Sequence, residues 1–303
     1  MEEKIRRRSD LQIKEDTRIN LKTEKVNYRH GNDHLERYLA YDDAIQGKRP
    51  GVLVVHCFRG LRDFVKERTE QLANLGYISF ALDMYGVMPE DDQKAFALAK
   101  LYGADRPLMR SRANAGLEVL RRHDLVDIRR IGAMGYCFGG GVVLELARSG
   151  AEIAGLVGFH ANLNTPNRED AKNIKGKVLI LHGADDPLVP MDQVLTFQEE
   201  MRKAEVDWQM VFYGNAVHAF TMPESDTDPS KQVAYNEKAD KRSWEAMKFF
   251  FQGDIFILKS NQTTDSSNLS VGIRLSLNIY HLHHENLFEI TEVYGLSNVL
   301  ICS

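Results

Sequence analysis

The residues with the most chemical meaning stand in the turn Gly135-Tyr136-Cys137-Phe138-Gly139. A nucleophile with glycine two residues before it and two after it is the pattern of a sharp strand-to-helix elbow. The turn crowds both flanking positions, so a side chain at either would clash. It also sets the nucleophile at a helix N-terminus, where free N–H groups and the helix dipole favour a thiolate. Alone, a cysteine beside glycines reads as an inert buried thiol. The predicted strand before Cys137 and the predicted helix after it make it a candidate nucleophile.

A thiol attacks well only when deprotonated, so a nearby imidazole must take its proton, and a carboxylate must hold that imidazole in the right tautomer. The candidates are His218, in Val217-His218-Ala219-Phe220, and Asp186, in His182-Gly183-Ala184-Asp185-Asp186-Pro187. Read singly, Asp186 is a turn residue at a strand end and His218 a loop histidine. Together they follow successive predicted strands, in the order nucleophile, acid, histidine that goes with such an elbow. Acyl transfer also needs donors for a developing oxyanion. The N–H of Phe138 directly follows the nucleophile. The N–H of Phe58, in the loop after His56, is the expected second donor, and Gly60 lets that loop approach a substrate.

These residues need a frame. Gly51–His56 is a continuous apolar, β-branched run, as suits a strand covered on both faces. Tyr77–Leu82, Arg130–Gly135, Ile153–Phe159, Val178–Leu181 and Trp208–Phe212 read as further strands. Helices are predicted over Phe64–Leu75, Asp91–Tyr102, Leu108–Arg122, Gly139–Arg148, Met191–Lys203 and Asn236–Phe251. Alternating strands and helices imply βαβ units and a mostly parallel sheet with helices on both faces. An opening hairpin is expected from Val26–Arg29 and Leu35–Ala40, around a turn at His30-Gly31-Asn32-Asp33.

With 303 residues the chain can build one large α/β domain. Its net charge of -4 gives no argument for nucleic acid or an anionic membrane. No apolar run is long enough to span a bilayer. Three scattered cysteines, Cys57, Cys137 and Cys302, do not form a secreted disulfide framework, and the charged N-terminus lacks the apolar stretch of a signal peptide. A cytoplasmic location is expected. His281-Leu282-His283-His284 has no accompanying carboxylate or cysteine cluster, so no metal is expected. The sequence does not give the oligomeric state.

The stretches Val52–His56, Ala81-Leu82-Asp83-Met84-Tyr85-Gly86, Gly135–Gly140, His182–Pro187 and Val217–Phe220 together resemble the dienelactone hydrolase family, over about Lys22 to Phe251. The resemblance implies an α/β-hydrolase fold and hydrolysis of small-molecule esters or lactones, without a cofactor. It implies a Cys137, Asp186 and His218 triad that works through a thioester. The expected pocket comprises Cys57, Arg59, Tyr85, Val87, His160 and Met222. The organisation expected is a charged extension over 1–21, the hydrolase domain over 22–252 and a C-terminal tail over 253–303.

Two departures bear on chemistry. Cys57 stands where the family has a glutamate that contacts the nucleophilic thiol. Val87 and Met222 stand where dienelactone hydrolases have arginines that hold a substrate carboxylate, with Arg59 as a candidate replacement. A neutral or broader acyl substrate is expected. Two other readings follow from Cys57: a fold that binds small molecules without catalysis, and a hydrolase switched off by a reversible Cys57–Cys137 disulfide.

Overall fold

The computed structural model describes residues 19–256. Residues 1–18 of the extension expected over 1–21, and residues 257–303 of the tail expected over 253–303, lie outside the described residues.

The described residues open with a hairpin, β1 (Leu21–His30) and β2 (Asp33–Asp42), joined by a tight turn in which Gly31 takes φ +59°. Then follow β3 (Arg49–Val55), α1 (Asp63–Asn74), β4 (Ile78–Leu82), α2 (Asp92–Ala104), α3 (Arg106–Arg121), β5 (Val126–Tyr136) and α4 (Phe138–Arg148). A short 3-10 turn (Arg168–Asn173) separates β6 (Gly155–Phe159) from β7 (Lys177–Gly183), and α5 (Met191–Lys203), β8 (Trp208–Tyr213) and α6 (Glu237–Phe249) complete the fold. The sheet order is β1-β2-β4-β3-β5-β6-β7-β8. β1, β2 and β4 pair antiparallel, and β4 through β8 run parallel.

Alternate residues of the strands feed two cores. Leu53 and Val55 join Met109, Ala113 and Leu117 of α3, Val142 and Leu146 of α4, and Phe197 of α5. Val52 and Val54 join Val65 and Leu72 of α1 with Ala239 and Met247 of α6. Every residue of β3 is buried, which accounts for its unbroken apolar run. Burial of a side chain such as Leu53 contributes about 1.5–3 kcal/mol. These two layers hold the carboxyl ends of β3, β5, β7 and β8 in fixed relation, and ligands of open α/β sheets bind at such strand ends.

Three features depart from the sequence expectation. β5 begins at Val126, and its pairing with β3 jumps from Arg49↔Val126 to Gly51↔Ile131, leaving Ile128 and Arg129 exposed. The last helix does not run regularly to Phe251. It widens into a π-helical turn over Phe250–Ile255, closed by the Phe256 N–H donating to the Phe251 carbonyl at 2.7 Å. The wider turn stacks Phe251 on Phe256, with ring centroids 5.3 Å apart, against Gly132 of β5, where even a methyl group would come within 2.9 Å of Phe251. The 3-10 turn was not anticipated. No described helix is long and apolar enough to cross a membrane.

Candidate active site

β5 ends at Tyr136, and the chain turns so sharply that Cys137 takes φ 53° and ψ -115° before α4 starts at Phe138. This is a strained backbone for a residue with a side chain. It is held by the Cys137 N–H donating to the Phe159 carbonyl at 3.0 Å, and by the Cys137 carbonyl accepting from Gly141 and Asn162 at 3.3 Å each. The flanking glycines are required by space. A Cβ on Gly135 would run into the Gly139 carbonyl, and one on Gly139 into the carbonyls of Val55 and His56.

Asp186 lies in the loop after β7. Its Oδ1 accepts the N–H groups of Leu188 at 2.9 Å and Val189 at 3.1 Å. That leaves Oδ2 to accept from His218 Nδ1 at 2.8 Å. His218 lies in the loop after β8, and its carbonyl accepts from the Ala234 N–H at 3.1 Å. Because Nδ1 faces a carboxylate it carries a hydrogen, and Nε2 faces Cys137 Sγ at 3.1 Å. The three residues expected from the sequence are thus joined in one chain of contacts, buried at the carboxylate end and half-exposed at the sulfur.

The electrostatics of this chain favour charge separation. Burial pushes the Cys137 thiol up, but the facing His218 and the Phe138 N–H outweigh it and hold the thiol below its ordinary value. Burial pulls His218 down, but Cys137 and Asp186 outweigh it and raise the imidazole to about 10. Both shifts point to a thiolate–imidazolium pair.

Phe138 is the first residue of α4, so its N–H has no acceptor within the helix. Among the described residues, the Phe58 N–H donates to no main-chain carbonyl. The loop bearing Phe58 is tightly held. His56 is wholly buried, with Nε2 accepting the Met84 N–H at 3.1 Å, so its Nδ1 carries the hydrogen that it donates to the Cys57 carbonyl at 2.6 Å. Tyr85 donates its hydroxyl to the Phe58 carbonyl at 3.0 Å, and its ring packs edge-on to His56 with centroids 4.8 Å apart.

The expected pocket residues fall in different places. Cys57 is buried, and burial together with the neighbouring Cys137 pushes its thiol up to about 12, so it is neutral. Both cysteines are free thiols. Met222 is buried and Val87 exposed. His160 is wholly buried behind His218, ring centroids 5.2 Å apart, with its Nε2 on Thr221 Oγ1 at 2.8 Å. It therefore backs the imidazole and does not line an open wall. Arg59 is already paired, its Nε and Nη2 each 2.8 Å from an oxygen of Asp92. Sequence reasoning missed Asp92, Thr221 and the Tyr85 hydroxyl contact. Asp92 reads as a first-turn helix acid, and nothing in the sequence points to its partner.

The sheet order, the elbow and the strand-end loops define an α/β-hydrolase. The profile of the dienelactone hydrolase family matches residues 35–254. The chain belongs to the dienelactone hydrolase family and is a hydrolase of that type. Among similar solved structures, m3DLH is 39% identical with a TM-score of 0.75, over 78% of this chain and 99% of its own. A dienelactone hydrolase-like promiscuous phosphotriesterase from metagenomic libraries is 38% identical with a TM-score of 0.75, over the same 78% and 99%. A Salmonella typhimurium relative provisionally named carboxymethylenebutenolidase is 27% identical over 239 residues, 72% of this chain and 83% of that protein.

Proposed function

We propose that the protein hydrolyses carboxylic esters or lactones through a thioester on Cys137, with His218 and Asp186 as its proton-transfer partners. The observation that carries this reading is the unbroken contact chain Asp186 Oδ2–His218 Nδ1 at 2.8 Å and His218 Nε2–Cys137 Sγ at 3.1 Å. The Cys137 thiolate attacks the carbonyl carbon, and the Phe58 and Phe138 N–H groups receive the oxyanion. Collapse breaks the bond to the leaving oxygen, which takes the proton from His218 Nε2. A water molecule then gives its proton to His218 and attacks the thioester, releasing the acid and restoring the thiolate. Asp186 holds His218 in the tautomer both steps need. The decisive experiment is hydrolysis of p-nitrophenyl acetate and of a dienelactone by wild type and Cys137→Ala. Full activity in the variant would refute the reading, and no wild-type turnover across an ester and lactone panel would favour a binding protein.

A second reading draws on the 38% identity to the promiscuous phosphotriesterase. The same thiolate would attack phosphorus of an aryl phosphotriester, forming an S–P bond as the aryloxide leaves with the His218 proton. Cys137-dependent release of nitrophenol from paraoxon tests it.

A further inference from the structure

Resting on the hydrolase reading above, we propose that Asp92 determines specificity: by occupying the guanidinium of Arg59 it keeps the site for uncharged esters and lactones and turns away those that carry a carboxylate.

Arg59 directly follows Phe58, whose N–H is the proposed oxyanion donor, and its guanidinium lies over the Phe58 ring, 5.3 Å from the centroid. Its charge also bears on Cys57, the thiol beside Cys137, so the guanidinium lies in the neighbourhood of the proposed nucleophile. Yet Arg59 presents its forked Nε and Nη2 pair to both oxygens of Asp92, the geometry in which arginine binds a carboxylate most specifically. Asp92 opens α2 directly after its cap, Asp91, whose side chain accepts from the Lys94 N–H. The helix N-terminus favours that negative charge. A tethered carboxylate acts at an effective concentration in the millimolar range or above, so a dilute substrate carboxylate does not displace it.

The neighbouring charges agree. Arg62, the next cation along the loop, gives Nε and Nη2 to the carbonyls of Arg59 and Pro89, each at 3.2 Å, and so braces the frame. The carboxylate of Glu224, two residues beyond Met222, bears on both Arg59 and Cys57. Val87 and Met222 bring no charge. The pair itself is exposed enough, Asp92 at 61%, to contribute little to stability, so it can be altered without unfolding the chain.

The test compares kcat/KM for 4-nitrophenyl hexanoate with that for mono-4-nitrophenyl adipate, which carries a carboxylate at the far end of an acyl chain of the same length. Wild type prefers the neutral ester by about tenfold or more, equivalent to about 1.4 kcal/mol. Asp92→Asn raises kcat/KM for the adipate and narrows the preference, Asp92→Glu keeps it, and adding Arg59→Gln to Asp92→Asn abolishes the gain. A wild-type ratio near one, an unchanged ratio in Asp92→Asn, or the same gain without Arg59 overturns the proposal alone. Absence of Cys137-dependent hexanoate turnover overturns it together with the hydrolase reading.

Discussion

The hydroxyl of Tyr85 donates to the carbonyl of Phe58 at 3.0 Å, so a side chain from the loop after β4 fixes the peptide next to the proposed Phe58 oxyanion donor. Tyr85→Phe keeps the ring packing on His56 and removes only this bond. With the bond worth about 1 kcal/mol, kcat falls by about fivefold while KM changes little. Steady-state kinetics on a neutral ester check this, and a change confined to KM would contradict it.

The thiolate of Cys137 depends on its facing imidazole. Its thiol is held below the ordinary value, so the thiolate persists as pH falls below the usual thiol range near about 8.5. Iodoacetamide alkylation of Cys137 should accordingly keep its rate to lower pH than an ordinary thiol does. Asp186→Asn removes the charge that stabilises the imidazolium, moves the alkylation profile to higher pH and lowers kcat by about 10²- to 10⁴-fold. A profile that does not move would contradict the assigned role.

Cys57 is a neutral thiol beside Cys137. In Cys57→Glu, an ionised carboxylate at the same place would oppose the Cys137 thiolate and raise its pKa. Activity at neutral pH then falls and is recovered at higher pH. A pH–rate profile of kcat/KM for the two proteins checks the direction of the shift.

Acid should destabilise the fold through three buried imidazoles. His56, His160 and His182 are held below their ordinary value, in each case chiefly by burial. The unfolded chain takes up protons near about pH 6.5 and the folded chain does not, so stability is present above that pH and is lost as pH falls. Each histidine contributes a slope of about 1.4 kcal/mol per pH unit in that window. His218 works in the opposite sense: raised to about 10, it contributes stability that is full below about pH 6.5 and is lost as pH rises toward 10, so between about pH 5.5 and 7.5 it offsets about one of the three buried imidazoles. Urea unfolding at pH 7.5 and pH 5.5 measures the loss, and equal stability at the two would refute it.

Gly139→Ala places a methyl group against the carbonyls of Val55 and His56. The elbow can relieve this only by moving β3 or opening the turn. Thermal unfolding should show a loss of about 3 kcal/mol or more, with activity lost alongside.

The parts of this molecule written in local pattern were legible in the sequence. β3 announces itself by an unbroken β-branched run, the elbow by two glycines that sterics demand, and Asp186 and His218 by their places after successive strands. Other parts rest on contacts between distant segments and leave no local trace. Arg59 and Asp92 are 33 residues apart, and His160 and Thr221 are 61 apart. The π-helical turn is set by how Phe251 and Phe256 pack on Gly132, a strand residue far away in the chain. The register jump in β5 likewise depends on its partner strand.

Cys137 and the imidazole proposed to activate it are separated by 81 residues of chain. During synthesis the cysteine leaves the ribosome long before β8 and His218 exist. Until the last parallel strand docks, it is an ordinary, mostly protonated thiol. The proposed reactive group thus exists only once β8 and the loop bearing His218 are in place, and an electrophile that labels Cys137 at neutral pH reports, molecule by molecule, which chains have brought the two together.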